Sequence, residues 1–232
     1  MSDLAKMNAA AVAVGYVESG MIVGLGTGST ANHMIRMLGK RVAEGLKIVG
    51  LPTSEATRSL AISVGVPLIE LDHADRIDLT IDGADEIDPQ FRLIKGAGGA
   101  LLREKIIANA SDHMVVIADE SKLVDKLGAF LLPVEVVSFG FTITAKKIFD
   151  ALRASQCAGL NVTLRTVGKA EKPYLTDSGN YILDCACEHI PDPEDLALRL
   201  TVIPGVVEHG LFLGLARTVI IGEERGARTL ER

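Results

Sequence analysis

Cysteine is scarce and odd in number: Cys157, Cys185 and Cys187 are the only three in 232 residues. No C-x-x-C pair accompanies them, which argues against a zinc site or a disulfide framework and leaves buried free thiols as the expectation. Aromatic residues make up only 4% of a chain that is 48% hydrophobic, so its core must be aliphatic and alanine-packed. No apolar run approaches the ~18 residues of a membrane span, and the N-terminus lacks the basic-then-apolar order of a signal peptide. A cytoplasmic protein that meets no membrane is expected. Positive charge is also short. A net charge of −6 argues against a nucleic-acid binder that works by neutralising phosphates. A small anionic ligand is compatible, its field supplied by a few lysines and backbone N–H groups. His33, His73, His113, His189 and His209 are scattered without ligand spacing, and nothing supports Ser/His/Asp or Cys/His nucleophilic catalysis.

What the chain has is glycine, 23 residues of it, set among alternating strand and helix patterns. A helix over 4–18 is followed by a strand Met21–Leu25, then a helix capped by Ser29 or Thr30 and running to about Glu44. Strand 46–50, helix 54–64, strand 67–71, strand Ile77–Ile81, helix 99–110 and strand Met114–Ala118 continue the alternation. This order predicts an α/β fold with a doubly wound, mostly parallel, Rossmann-like sheet whose ligands bind at the carboxyl ends of its strands. The pattern then changes. Strand 131–138, helix 142–155, strand 161–167, strand Tyr181–Cys185, a Pro193 helix capped by Asp192 and a strand at Val206 predict a small ferredoxin-like α+β domain. Arg217–Ile221 is expected to rejoin the first sheet. The implied organisation is a Rossmann-like catalytic domain of 1–130 plus 206–232 and a small domain of 131–205 that serves as the oligomer contact.

Three clusters carry the chemistry. Gly24-Leu25-Gly26-Thr27-Gly28-Ser29-Thr30 lies between a strand and a helix, where backbone N–H groups and the helix dipole attract an anion. Its spacing fits neither a dinucleotide fingerprint nor a Walker loop, so a phosphate monoester is the better match, and a simple capped turn is the alternative. Asp82, Asp85, Glu86 and Asp88 form an acidic cluster at the end of an apolar strand. Its order does not fit an EF-hand. Its position favours a catalytic role for Asp82 and Asp85, with Glu86 and Asp88 facing water or capping structure. Lys95, at the mouth of the Gly96-Ala97-Gly98-Gly99 turn, is placed to hold an oxyanion. Glu104 follows on the next helix and is the candidate base, against an exposed pairing with Arg103 or Lys105. Lys122 and Lys6 are isolated cations that could reach a phosphate.

These motifs, with Ala118-Asp119-Glu120-Ser121-Lys122, Leu132-Pro133-Val134-Glu135-Val136, Thr176-Asp177-Ser178-Gly179-Asn180 and Ile203-Pro204-Gly205-Val206-Val207, resemble the A-type ribose-5-phosphate isomerases across nearly the whole chain. Ala97 departs from the usual glycine without removing a donor. The resemblance implies a metal-free, cofactor-free interconversion of D-ribose 5-phosphate and D-ribulose 5-phosphate through an enediolate, in the non-oxidative pentose phosphate pathway. By the same resemblance Glu104 is the base and Lys95 the enediolate cation. Asp82 and Asp85 handle hydroxyl protons and ring opening. Thr27, Gly28, Ser29, Thr30 and Lys122 contact phosphate and sugar, Lys6 more weakly, and Gly83, Ala84, Gly96, Ala97 and Gly98 complete the substrate contacts. Homodimers or homotetramers are implied. Coenzyme A transferases share the architecture, but they use a glutamate as nucleophile.

Overall fold

Strands buried on both faces need unbroken apolar runs, and Met114–Asp119 is one, with all six of its residues buried. In the computed structural model, which describes residues 3–169 and 171–232, this strand sits inside a six-stranded sheet. The order across it is Gly226–Glu231, Ala216–Glu223, Met114–Asp119, Leu79–Asp82, Ile22–Leu25, Val49–Pro52. Five strands run parallel, and Gly226–Glu231 is an antiparallel edge. Val23 and Leu25 pack with Met34, Ile35 and Leu38 of the helix Ser29–Ala43 and with Ala9, Ala10 and Ala13 of the helix Asp3–Val14. Gly24 faces the other way, where an added Cβ would press on Ile107 of the helix Leu101–Asn109. Helices therefore cover both faces, as a doubly wound sheet requires. From Ile22–Leu25 the chain passes to Val49–Pro52 on one side, while Leu79–Asp82 pairs on the other. That reversal is the topological switch point, where such sheets open a ligand crevice.

By internal contacts the chain divides into two compact units: residues up to Ala84 with Arg103–Leu123 and Gly214–Arg232, and Asp85–Leu102 with Val124–Leu213. The second holds an antiparallel sheet in the order Val206–His209, Leu132–Val136, Tyr181–Ala186, Asn161–Leu164. With helices Phe141–Ala154 and Pro193–Thr201, this is the 4-1-3-2 order of a ferredoxin-like split βαββαβ unit. Asp192 caps the second helix by accepting the Asp195 N–H at 2.9 Å, as its sequence position suggests. Cys157, Cys185 and Cys187 are buried free thiols in this unit's aliphatic core. Burial pushes the Cys185 thiol above its ordinary range.

Several expectations need correction. Residues 67–71 form no strand: Pro67 has no N–H to donate, and pairing is limited to one Gly50–Leu68 bridge before a 3-10 turn at Leu71–His73. The helix at Ser29 has Gly28 as its N-cap, with φ 114° and no side-chain cap, so neither Ser29 nor Thr30 caps it. The 161–167 strand breaks at Arg165, and Thr166–Val167 turns away to pair with Lys172–Pro173. The boundary also differs from 1–130 plus 206–232. Residues 85–102, 124–130 and 206–213 join the second unit, where Glu86–Ile87, Leu93–Ile94 and Leu211–Phe212 form their own antiparallel sheet and Val124 donates its N–H to the Ile87 carbonyl.

The first helix lies very close to the sheet, since a Cβ on Gly222 would collide with the Ala5 carbonyl. Gly222→Ala is therefore expected to cost about 1–3 kcal/mol of stability. It should appear in urea titration as a lower midpoint at unchanged slope.

Candidate active site

The first unit brings its polar residues to the carboxyl ends of two neighbouring strands. Gly26 donates its N–H to the Ile81 carbonyl at 2.9 Å, extending the ladder by one residue. Asp82, fully buried, then accepts the N–H groups of Thr27 at 3.0 Å and Gly83 at 2.7 Å on Oδ1. A Cβ on Gly26 would collide with that carboxylate. This position must be glycine because of close approach.

Behind the loop lies a cluster of hydroxyls. Thr53 donates to the Leu25 carbonyl at 3.0 Å and Thr57 to the Gly26 carbonyl at 2.9 Å. The Thr27 hydroxyl donates to Ser54 Oγ at 2.9 Å and sits 2.8 Å from Thr53 Oγ1. Ser54 also caps the helix Glu55–Ser63. Thr27 thus turns its hydroxyl inward, and its side chain is a support more than a ligand donor. At the exposed end of the loop, Lys6 Nζ donates to Ser29 Oγ at 2.9 Å, which brings a cation onto the loop. Lys122 is half-buried on the turn Glu120–Lys122, just past the strand beside Asp82's. Asp119 secures that turn through Ser121.

Glu104 occupies the buried face of its helix. Leu101, Ile107 and Ala108, three and four residues away, share that face, and Glu104 is only 4% exposed. Its neighbour Arg103 binds Glu55 at 2.7 Å, and the guanidinium holds the Glu55 carboxyl below its usual range. Glu104 therefore does not lie on an exposed face of its helix. A carboxylate buried in an apolar stripe is a candidate functional group.

In the second unit, Leu93–Ile94 delivers Lys95, whose N–H is held by the Gly210 carbonyl at 2.9 Å. The side chain is 3% exposed, and its ammonium lies 5.3 Å from the Phe212 ring centroid. Asp85 Oδ2 accepts the Ala97 N–H at 2.9 Å. Ala97 is exposed with no strained φ, so its methyl is accommodated. Glu86 and Asp88 do not face water: both are buried. Glu86 receives the N–H groups of Gly128 and Phe130, and Asp88 those of Gln90 and Arg92, so each caps structure. Among the described residues no group of three or more His, Cys, Asp or Glu is placed to hold a metal ion, and no helix is long and apolar enough to cross a membrane.

Residues 49–226 match the family model described as ribose 5-phosphate isomerase A (phosphoriboisomerase A). The chain belongs to that family. It is 56% identical over 226 residues to a ribose-5-phosphate isomerase A of Maricaulis maris, covering 97% of each chain. It is likewise 52% identical to that of Parvibaculum lavamentivorans, over 99% of each. Among solved structures, the ribose 5-phosphate isomerase of Plasmodium falciparum superposes with a TM-score of 0.92 at 36% identity, over 100% of this chain and 99% of that one. A D-ribose-5-phosphate isomerase in complex with phospho-erythronic acid gives 0.90 at 40% identity, over 98% of both chains. The family interconverts ribose 5-phosphate and ribulose 5-phosphate.

Sequence reasoning missed the supports: Thr53, Ser54 and Thr57 beneath the first loop, Phe212 beneath Lys95, and Arg165 and Tyr174 beneath the second turn. Thr53-Ser54 at a strand end, with Thr57 one helical turn on, was the readable sign of the first group. Gly26→Ala should fold but lose at least tenfold in kcat/KM with ribose 5-phosphate, because the new methyl displaces Asp82. Unchanged kinetics would show that the Asp82 position does not matter.

Proposed function

We propose that the chain isomerises D-ribose 5-phosphate to D-ribulose 5-phosphate with Glu104 as the base and Lys95 as the enediolate cation. The supporting observation is a glutamate buried on the apolar stripe of its helix, in a chain of this family. In the open-chain aldose, the C2 proton is acidified by the C1 carbonyl. Glu104 takes that proton, and negative charge develops on the carbonyl oxygen, where Lys95 meets it. Returning the proton to C1 while the O2 proton passes to O1, neutralising the oxyanion there, gives the ketose. No electron leaves the substrate, and the proton balance closes. A well-placed base contributes about 10²–10⁴-fold, and one oxyanion donor ~3–4 kcal/mol.

Asp82 and Asp85 are the groups for hydroxyl protons and ring opening. Both are held by backbone N–H groups, which fixes where their other oxygens can act. The substrate-contact reading is Thr27, Gly28, Ser29, Thr30 and Lys122, with Lys6, at the phosphate and sugar. Gly83, Ala84, Gly96, Ala97 and Gly98 complete it. At the first loop, the dipole of a 15-residue helix and Lys6, which bonds Ser29, supply the positive field. The reaction is read as needing no metal and taking place in the cytoplasm.

In a coupled assay with ribose 5-phosphate, turnover should persist in excess chelator. Glu104→Gln should lower kcat by about 10²–10⁴-fold while still binding ligand. Near-normal turnover in that variant removes Glu104 as the base. Lys122→Ala should mainly raise KM, and an unchanged KM removes Lys122 from the phosphate site. The chain is further read as a homodimer or homotetramer that meets through the second unit, where Phe139 and Ile143 stand 91% and 59% exposed. A monomer mass by light scattering at micromolar concentration ends that reading.

A further inference from the structure

The proposed roles of Lys95 and Asp85 leave unexplained how a turn with glycine at 96, 98 and 99 keeps one shape. Glycine loses more conformational freedom on ordering than any other residue, and the turn has one internal bond, Gly99 N–H to the Gly96 carbonyl at 3.0 Å. Further anchoring comes from two side chains outside the family motifs. Arg165 Nη1 donates to the Gly96 carbonyl at 2.9 Å and to the Ala97 carbonyl at 3.1 Å. Tyr174 donates its hydroxyl to the Gly98 carbonyl at 3.2 Å. Three successive carbonyls are therefore held by two side chains.

Arg165 is itself fixed. Its Nε and Nη2 form a two-pronged pair with Asp184, and its guanidinium lies 5.9 Å from the Tyr174 ring centroid. The side chains of the ion pair are 15% and 13% exposed, so water competes little with it. Burial pushes the Tyr174 phenol above its ordinary pKa and keeps its proton available to Gly98. The Tyr174 ring also fills the space a Cβ on Gly99 would need.

A peptide unit is planar, and its C=O and N–H point in opposite directions. Holding the Gly96 carbonyl therefore aims the Ala97 N–H, which is the donor to Asp85 Oδ2 at 2.9 Å. Holding the Ala97 carbonyl likewise turns the Gly98 N–H away from the guanidinium. Together with the Gly99 N–H, which also reaches the Gly96 carbonyl at 3.0 Å, one side chain thus holds the peptide plane whose N–H meets a proposed catalytic carboxylate and the plane that carries the Gly98 N–H.

We propose that Arg165, assisted by Tyr174, is a positioning residue for the isomerisation, setting the peptide planes of Gly96–Gly99 so that Asp85 and the Gly98 N–H are presented to the enediolate. This rests on the function proposed above. Its energetic contribution falls on the transition state, because the turn is aligned for charge that appears only there. Lysine at 165 keeps the charge but cannot span a carboxylate and two carbonyls at once.

The test is steady-state kinetics of Arg165→Lys and Tyr174→Phe beside Glu104→Gln, with Kd for phospho-erythronic acid as the probe of a charged C1 group. For Arg165→Lys, kcat should fall by roughly 10–100-fold, as expected for ångström-scale misplacement of a catalytic group. KM should stay within about twofold, and probe affinity should fall in parallel with kcat/KM. Tyr174→Phe should show a smaller loss of the same pattern, and it carries the test if Arg165→Lys does not fold. A raised KM at unchanged kcat overturns the proposal, because Arg165 would then bind the substrate directly. Unchanged kcat in both variants also overturns it. If those variants are fully active while Glu104→Gln is dead, only the positioning role fails. An active Glu104→Gln instead removes the base assignment and leaves the Arg165 result to be read on its own.

Discussion

The arrangement in the first unit depends on a single added rung of the parallel ladder, the Gly26 N–H on the Ile81 carbonyl. It carries the pairing of two strands one residue past their ends, at the place where the chain reverses its winding. Asp82 is the next residue, and its carboxylate takes the first N–H of the loop beyond. Acid and loop are thereby fixed to each other by a bond from a backbone N–H to a buried carboxylate. Glycine at 24 and 26 is required because Thr80 and Asp82 on the neighbouring strand occupy the space of a side chain.

The two glycine-rich turns, one in each unit, are secured in the same way although their sequences differ. In each, side chains satisfy the carbonyls. Thr53 and Thr57 serve Leu25 and Gly26, and Arg165 and Tyr174 serve Gly96, Ala97 and Gly98. A carbonyl so engaged cannot swing its lone pairs toward an anion. Most of the amide hydrogens are engaged as well: Gly26 N–H with Ile81, Thr27 N–H with Asp82, Ala97 N–H with Asp85 and Gly99 N–H with Gly96. The supporting residues are ordinary in type and lie far from the motifs in sequence.

That distance explains what could be read from the chain and what could not. The β–α alternation, the split α+β unit and the Asp192 cap are local patterns, and all are present. Glu104 and Lys95 stood out because charged residues flanked by glycine or set in an apolar stripe break the local rule. The strand expected at 67–71 failed on one missing N–H at Pro67, and the two-residue strands at 86, 93 and 211 are too short for any periodicity. The segment 85–102 looked continuous with the parallel sheet, since nothing local marks which sheet a short strand joins. Arg165 and Asp184 are 19 residues apart, and each alone looks like a surface charge. Only their pairing across two strands reveals the clamp.

The hydroxyl side of the first loop has a consequence for acidity. Serine and threonine do not ionise in the range where proteins work, so Thr27, Thr53, Ser54 and Thr57 hold the same hydrogen bonds in mild acid and mild base. A phosphate monoester, by contrast, gains its second charge near pH ~6. On the phosphate reading proposed above, these hydroxyl bonds stay constant while a bound phosphate monoester changes valence.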